Sequence, residues 1–279
     1  DGLTSKITKI SDKLLANGTW VYTIEIKTDD FYSRVELDEK LKNIFPKLKP
    51  VSLPSPKKTE EKMLSLVISD DHVGSVHDYT LFGNSWDADI YKKRLLTLVD
   101  EAKNLGTFEE VNVISLGDQM NGWNSQTTRG GHEVKSLSNK DQFDMYTNAR
   151  VAFYDALLSS GIAKKYTIRD VENSNHTGND FSYMANKFLQ LYLSQKFPGV
   201  DQISYFLPLE SFDYGIHTIG MTHGKDEIVM TRAMPLKLDA KTDLFLYQYF
   251  DTKKISPSSR QITLYKGDLH SYNVERGKF

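Results

Sequence analysis

Short apolar runs alternate with longer segments of helical period through most of this chain. The runs at residues 63–69 and 111–118 are rich in Val, Ile and Leu, as expected of buried strands. In the longer segments apolar residues recur every three or four positions, and a glycine or a Pro-Gly pair follows each of them. We predict helices over these segments, residues 87–105, 139–160 and 181–197. Strands that alternate with helices in this way predict an α/β domain.

Four further segments of the same region have the pattern of strands. Residues 165–176 begin as a strand and run out into polar residues, and residues 214–224 form the next apolar segment. The segment "DLFLYQYF", residues 243–250, also predicts a strand. Residues 261–265 alternate polar and apolar side chains, and we expect a last strand there.

Residues 1–56 have a different pattern from the rest of the chain. Residues 20–29 alternate like a strand, and residues 35–45 have helical spacing. Four prolines then fall within residues 46–56, among serine and charged residues, which is the composition of a linker. We therefore predict a small N-terminal α+β appendage with its linker over residues 1–56 and a main domain over residues 57–279.

The informative feature of the main domain is the polar residues directly after each predicted strand. Loops at the carboxyl ends of strands in α/β sheets converge on one crevice, where functional groups collect. Here those ends carry Asp, Asn and His: Asp70, His72, Asp118, Asn175, His176, His223, Asp268 and His270. Any one of these residues alone is common as a cap or a turn former. Together they are a set of oxygen and nitrogen ligands, which predicts a metal centre.

The composition limits the classes of function. With a formal net charge of -2 over 279 residues the surface is not generally basic, so nucleic acid would need a local patch. The chain has no cysteine, which excludes a thiolate metal site and a Cys nucleophile and favours an intracellular, cytoplasmic protein. No apolar run approaches the length of a membrane span, so we expect no membrane partner.

The motifs "SDDHVGS", "LGDQMNG", "NSNH", "MTHGKD" and "KGDLHSY" stand in this order along the chain. The set resembles the calcineurin-like metallophosphoesterase superfamily, whose signature runs D-x-H, G-D, G-N-H, a lone His and then G-H-x-H. The resemblance covers about residues 63–275. It implies an α/β fold, a four-layer α/β/β/α sandwich with two mixed sheets, that holds two metal ions at the strand ends.

The resemblance also implies roles for individual residues. The residues it carries over as metal ligands are Asp70, His72, Asp118, Asn175, His223, Asp268 and His270. Asp118 would bridge the two metals, and His176 would act as general acid towards the leaving group. Asp268 stands where the family has a histidine, and it either ligates through one oxygen or caps the turn. An acidic residue often orients the family's catalytic histidine; here Thr177 takes that position, and Asp180 is the nearest substitute.

Such a ligand set has a chemical rationale of its own. Two divalent cations about 3.5–4 Å apart activate a water that bridges them and hold both the attacking and the leaving oxygen of a phosphoryl displacement. Imidazole combined with carboxylate and amide oxygens suits transition metals better than calcium. We therefore expect two divalent ions, Mn²⁺ ahead of Mg²⁺, Fe or Zn²⁺.

The resemblance therefore implies a metal-dependent hydrolase. We expect hydrolysis of phosphodiester bonds in nucleic acid or nucleotides, by a hydroxide that bridges the metals and with His176 as general acid. The motif order is most similar to the nuclease and phosphodiesterase branches, and the chain also resembles metallophosphoesterases encoded by bacteriophages. Two alternatives are a phosphomonoesterase that acts on a nucleotide or a phosphoprotein, and a non-catalytic scaffold with the same fold.

The loop at residues 124–136 contains two candidate substrate-binding residues. Arg129 could pair with a phosphate through two N–H groups, and the two glycines after it would let a substrate approach closely. His132 is the second candidate, and the alternative for both is a solvated surface loop. Asp71 lies inside the D-x-H triplet, where strand alternation turns it away from the ligands, toward solvent or toward groups that support them.

Overall fold

The structure divides into two compact units, Asp1–Lys47 and Leu48–Phe279. The computed structural model describes these residues: 5–14, 20–28, 48–77, 86–230, 232–256, 258–271 and 273–274. Of the helices in these ranges, none combines the length and the apolar character that crossing a membrane requires.

The boundary between the two units, between Lys47 and Leu48, lies on the N-terminal side of the position predicted near Pro56. The main-chain N–H of Val51 donates to the carbonyl of Lys196 over 2.7 Å. Leu53 packs against the hydrophobic core of the larger unit. These contacts tie the proline-rich segment to the larger unit, although its composition is that of a linker.

The smaller unit contains a pair of antiparallel strands, β1 (Ser5–Leu14) and β2 (Trp20–Thr28). β2 lies where the alternation predicts a strand. β1 has no such alternation, because its apolar residues recur three and four positions apart: Ile7, Ile10 and Leu14. The helix predicted at residues 35–45 lies outside the described residues.

The larger unit is a mixed α/β structure with two sheets. Its strands are β3 (Glu60–Ile68), β4 (Phe108–Ser115), β5 (Ala163–Val171), β6 (Asp201–Tyr205), β7 (Leu209–Tyr214), β8 (His217–Thr222) and β9 (Gln261–Lys266). Its helices are α1 (Ala88–Asn104), α2 (Asn139–Ser159), α3 (Gly178–Lys196) and α4 (Ala240–Thr252).

Among the described strands of the larger unit, one sheet is parallel and the other is mixed. The larger sheet has the strand order β3-β4-β5-β6 and is parallel throughout its described strands. In the smaller sheet β8 lies between an antiparallel β7 and a parallel β9. The prediction of two mixed sheets is therefore wrong for the larger sheet, whose strands follow helical crossovers that return the chain in the same direction.

Local sequence sets where the first two of these helices begin and end. The Asp87 side chain accepts from the N–H of Ile90 over 2.9 Å and caps α1. Ser138 caps α2 in the same way. Gly106 and Gly161 follow the two helices with φ of 107° and 67°, a conformation that a glycine adopts without strain.

Apolar side chains among the described residues of the larger unit form three clusters. The first joins the parallel sheet to α1, α2 and α3, with members such as Val111, Leu95, Phe153 and Leu193. The second joins residues of both sheets: Ile114, Leu116, Val171, Ile219 and Met221. The third joins the smaller sheet to α4, through Leu209, Leu246 and Phe250. Each sheet therefore buries apolar residues in two different clusters.

The segment predicted as a strand at residues 243–250 lies within α4, so that prediction is wrong. Asp239 accepts from the N–H of Thr242 over 2.8 Å and caps the helix. Leu246 and Phe250, four residues apart, are 1% and 2% exposed and pack in the third cluster. Because aromatic and aliphatic residues fill the segment, the apolar pattern has no clear period, and the N-cap decides the structure.

We expect Leu246→Ala to lower the free energy of unfolding by about 2–5 kcal/mol, the cost of truncating a buried leucine. Leu244→Ala should change it by less than about 0.5 kcal/mol, since Leu244 is exposed on the other side of α4. Urea unfolding of the two variants measures both values. In a strand the two leucines would share one face, so equal losses would contradict the helix.

Candidate metal centre

The polar ends of five strands meet at one place in the larger unit. Among the described residues, side chains that could hold a metal ion form three overlapping groups there, with the candidate ligand atoms of each group within 4.8 Å of one another. The groups are Asp70, His72 and His270; His72, Asp118 and His176; and Asp70, Asp118 and His223. The structure therefore brings together residues that lie up to two hundred positions apart in the chain.

The first group consists of Asp70, His72 and His270, whose donor atoms converge. The Nε2 atoms of His72 and His270 are 2.9 Å apart, and His270 Nε2 lies 3.3 Å from Oδ1 of Asp70. Oδ2 of Asp118 is 3.9 Å from the same His72 nitrogen. Two imidazole nitrogens and two carboxylate oxygens that converge in this way could hold a divalent metal ion.

Five of the candidate ligands share a strained backbone conformation. The residues concerned have φ in the left-handed region: Asp70 (55°), His72 (43°), Asp118 (49°), Asp268 (73°) and His270 (47°). Residues with a Cβ rarely adopt this region, and where they do the surroundings hold them there. The N–H of His72 donates to the carbonyl of Asp118, and the N–H of Asp268 donates to Oδ1 of Asp70. The strain therefore lies on the candidate ligands themselves.

His223, a member of the third group, has a set of donors around it. Its Nε2 lies 3.0 Å from Oδ2 of Asp118 and 2.9 Å from Oδ1 of Asn175. Oδ1 of Asp268 is 4.0 Å from the same nitrogen. Oδ2 of Asp268 is buried and has no hydrogen-bond partner among the described residues. A buried carboxylate oxygen without a donor suits a site that takes a cation.

Asp118 belongs to two of the groups and lies between the donors around His72 and those around His223. The residue is 1% exposed, and its Oδ1 accepts from the main-chain N–H of His176 over 2.9 Å. Its Oδ2 faces His223 and His72. The main-chain N–H of Asp118 donates to Oγ of Ser174. One carboxylate is thus in reach of both sets of donors.

Asn121, which the motifs did not single out, orients two histidines. Its side-chain Oδ1 lies 3.1 Å from Nδ1 of His72, and its main-chain carbonyl lies 2.6 Å from Nδ1 of His176. The Nδ2 of Asn121 donates to Lys135 and Ser136, which fixes the orientation of the amide. Both histidines must therefore donate from Nδ1, so Nε2 of each ring is the nitrogen that could bind a metal ion or carry a second proton.

The orienting partner of His176 is thus a carbonyl. The sequence suggests Asp180 for this role, but Asp180 is exposed and the ring nitrogen bonds to Asn121. The only signal in the sequence is position, since Asn121 stands three residues after Asp118 in "GDQMN".

Burial and opposite charges set the ionisation of the cluster. Burial alone would raise the pKa of Asp118, but the neighbouring histidines, His223 foremost, hold that pKa well below its usual range. Burial alone would lower the pKa of His223, but Asp118 and then Asp70 raise it to about 9. Burial lowers the pKa of His72 to about 4. In the absence of metal, a protonated His223 therefore compensates the charge of Asp118.

The two predicted substrate-binding residues lie outside these groups of donors. Arg129 is half-buried; its main-chain N–H donates to the carbonyl of Asn175, and Nη1 of its guanidinium donates to Oδ1 of Asn173 over 2.7 Å. His132 is 75% exposed in its side chain and lies 3.6 Å from Glu227. Arg129 therefore contacts a residue of the cluster, Asn175, through its main-chain N–H.

The Asp71 side chain is largely buried. It is 9% exposed, and its Oδ2 accepts hydrogen bonds from Arg150 and from Tyr91. Of the two predicted orientations of this side chain, the one toward solvent is wrong, because the carboxylate forms an ion pair with Arg150, a buried arginine on α2.

Comparison with known proteins adds no relative: no protein-family model, no curated protein and no solved structure matches this chain. A functional assignment therefore depends on the geometry and the chemistry of the cluster.

We expect the metal-free protein to lose stability as the pH rises from about 6.5 to about 9. The pKa of His223 is about 9 in the folded chain and 6.5 when unperturbed, so the folded state binds the extra proton. The resulting stabilisation, roughly 3 kcal/mol for such a shift, is present below the lower value and lost above the higher one. His72 acts in the opposite direction and at lower pH, between about 4 and 6.5.

Urea unfolding in EDTA, at about pH 6 and about pH 10, measures this difference. His223→Asn should remove most of it, whereas a matched change of an exposed histidine, His217→Gln, should preserve it. The same pH dependence in His223→Asn and in the parent would contradict the assignment.

Proposed function

We propose that this chain is a two-metal phosphoesterase whose larger unit has the four-layer α/β/β/α arrangement of the superfamily that its motifs resemble. The three apolar clusters support that arrangement. They would place α1 to α3 on one face of the parallel sheet, the smaller sheet on its other face, and α4 outside the smaller sheet.

The single observation that carries the proposal is the position of Asp118 between two sets of ligand atoms. Asp70, His72 and His270 would hold one cation. Asn175, His223 and Asp268 would hold the other, with Asp118 shared between the two. Carboxylate, amide and imidazole donors suit Mn²⁺, and also Mg²⁺, Fe or Zn²⁺. Bound divalent cations would supply a nucleophile at neutral pH and would stabilise charge on the phosphoryl group.

His176 is the candidate general acid. Its Nδ1 donates to the Asn121 carbonyl, so its Nε2 is the atom that can carry the proton for a departing oxygen. Its ring centroid lies 4.4 Å from that of His72, which places it at the edge of the ligand set. A proton donor at this position favours an ester with a basic leaving group.

Arg129 is the candidate for binding the phosphate. Among the described residues its guanidinium has one hydrogen bond, to Asn173, so further N–H groups remain for an anionic oxygen. Asn173 is itself held by the buried carboxylate of Asp226 over 3.0 Å. Arg129 therefore stands at a fixed position beside Asn175, next to the proposed second cation.

The substrate class that suits these groups best is a phosphodiester of nucleic acid or of a nucleotide. A diester needs a proton for its leaving alkoxide and carries one negative charge, which one arginine and two cations can bind. Because the net charge of the chain is -2, recognition of a polyanion would depend on Arg129 and the two proposed cations.

We expect the purified chain with Mn²⁺ to hydrolyse bis-p-nitrophenyl phosphate, and EDTA to stop the reaction. Asp118→Asn should lower kcat/KM by more than about 100-fold, beyond the upper end for residues that only support a metal ligand. Asp180→Asn is the matched control, since it makes the same chemical change on an exposed residue close to the Asn175–Thr177 segment.

Absence of activity on both diester and p-nitrophenyl monoester with Mn²⁺, Mg²⁺, Ni²⁺ and Zn²⁺ would contradict an enzymatic function. Hydrolysis of the monoester alone would instead identify a phosphomonoesterase.

We expect Arg129→Ala to raise KM for the diester by roughly 10- to 100-fold, the value of a charge-assisted hydrogen bond, with a smaller effect on kcat. Steady-state kinetics separate the two parameters. Lys140→Ala also removes one positive charge, from a side chain that is 80% exposed on α2, and should leave KM unchanged. An unchanged KM for Arg129→Ala would show that Arg129 does not bind the substrate.

A further inference from the structure

The short turn after β3 carries two candidate ligands on either side of a residue that points elsewhere. Asp70 and His72 have φ of 55° and 43°, so the turn that presents them is left-handed at both positions. Asp71, between them, directs its carboxylate toward Tyr91 on α1 and Arg150 on α2. A backbone in this conformation needs contacts that hold it there.

Asp71 belongs to a closed set of hydrogen bonds with residues from two helices. Its Oδ2 accepts from Nη2 of Arg150, on α2, over 2.7 Å and from the hydroxyl of Tyr91, on α1, over 2.8 Å. Nε of Arg150 donates to the Tyr91 oxygen over 3.0 Å. The single hydroxyl therefore donates to the carboxylate and accepts from the guanidinium, so the three groups fix one another.

The set is buried almost completely. Arg150 is 0% and Tyr91 2% exposed, and the Asp71 side chain is 9% exposed. A guanidinium in such a place requires an anionic partner, and a lone carboxylate there would be as costly. Asp71 is the carboxylate that ion-pairs with Arg150 in the described structure. The pair therefore has little freedom to rearrange.

Trp86, which packs against Tyr91, makes a further contact with His72. Nε1 of Trp86 donates to the main-chain carbonyl of His72 over 3.2 Å. The Trp86 ring also meets the ring of Tyr91 edge to face, with centroids 5.7 Å apart. The Asp71 side chain is therefore held by Tyr91 and Arg150, and the His72 carbonyl is held by Trp86, which packs against Tyr91.

We propose that Asp71, Arg150 and Tyr91 form a positioning network, which holds the 70–72 turn in the conformation that binds the first cation. The inference rests on the proposed metal centre. The network touches no substrate and no metal; it acts through Asp70 and His72. Without it the turn would relax to ordinary backbone angles and would move both donor atoms away from His270.

The test measures Mn²⁺ binding to the folded, metal-free chain by calorimetry. A His223→Asn background removes a ligand of the second site, so the titration reports the first. In that background Asp71→Asn should weaken Mn²⁺ binding by about 10- to 100-fold, as expected for groups that orient metal ligands. Tyr91→Phe removes only the hydroxyl and should weaken binding less, while the fold is retained.

The chain offers a matched control on α2. Asp155 accepts from Tyr192 over 2.6 Å and from Lys196 over 2.7 Å, a carboxylate with a tyrosine and a cation as in the proposed network. Asp155→Asn should lower stability through the loss of these contacts but leave Mn²⁺ affinity unchanged. Circular dichroism and urea unfolding of each metal-free variant record the fold separately from binding.

Two results would overturn the proposal in different ways. If Asp71→Asn and Tyr91→Phe fold and bind Mn²⁺ with the parent's affinity, the three residues only stabilise the fold, and the metal centre stands without them. If the chain with all its ligands intact binds no Mn²⁺, Mg²⁺ or Zn²⁺, the metal centre itself is wrong and the network has nothing to position.

Discussion

The carboxylate of Asp118 is the group on which the arrangement of the larger unit depends. It is buried at the end of β4, and a buried charge is costly unless opposite charge and hydrogen-bond donors surround it. His176 supplies a main-chain N–H from the loop after β5, and His223 supplies an imidazole from the end of β8 in the other sheet. Satisfying this one carboxylate therefore brings the polar ends of both sheets together.

The same constraint explains why the cluster suits a cation. Without metal, the proton on His223 compensates Asp118, and the raised pKa of His223 records that dependence. Burial raises the pKa of Asp268, and one of its oxygens has no donor in the described structure. A divalent ion would compensate these carboxylates together, which a single imidazolium cannot do.

Much of the site could be predicted from the sequence because its residues follow strands. Periodicity located the strands β3, β4, β5 and β8, and the rule that loops converge at carboxyl ends then grouped Asp70, Asp118 and His223. The left-handed backbone at Asp70 and Asp118 could not be predicted, since neither residue is a glycine. Nor did the apolar pattern separate helix from strand at α4, where the deciding feature is a capping aspartate.

The contacts that support the site could not be predicted from the sequence, and the reason is physical. Asn121 acts through its own carbonyl as well as its side chain, and a main-chain contact leaves no mark on residue type. Asp71 meets Arg150 from 79 positions away, and Asn173 meets Asp226 from 53. Such pairs depend on how helices and loops pack on the sheets, which local periodicity does not specify.

The most direct measurement of the central claim is a crystal structure of the chain with Mn²⁺, with anomalous scattering used to locate the ions. The account predicts two peaks about 3.5–4 Å apart with the Asp118 carboxylate in contact with both. One ion would lie against Asp70, His72 and His270, and the other against Asn175, His223 and Asp268. No peak within the cluster, or one whose ligands do not include Asp118, would contradict it.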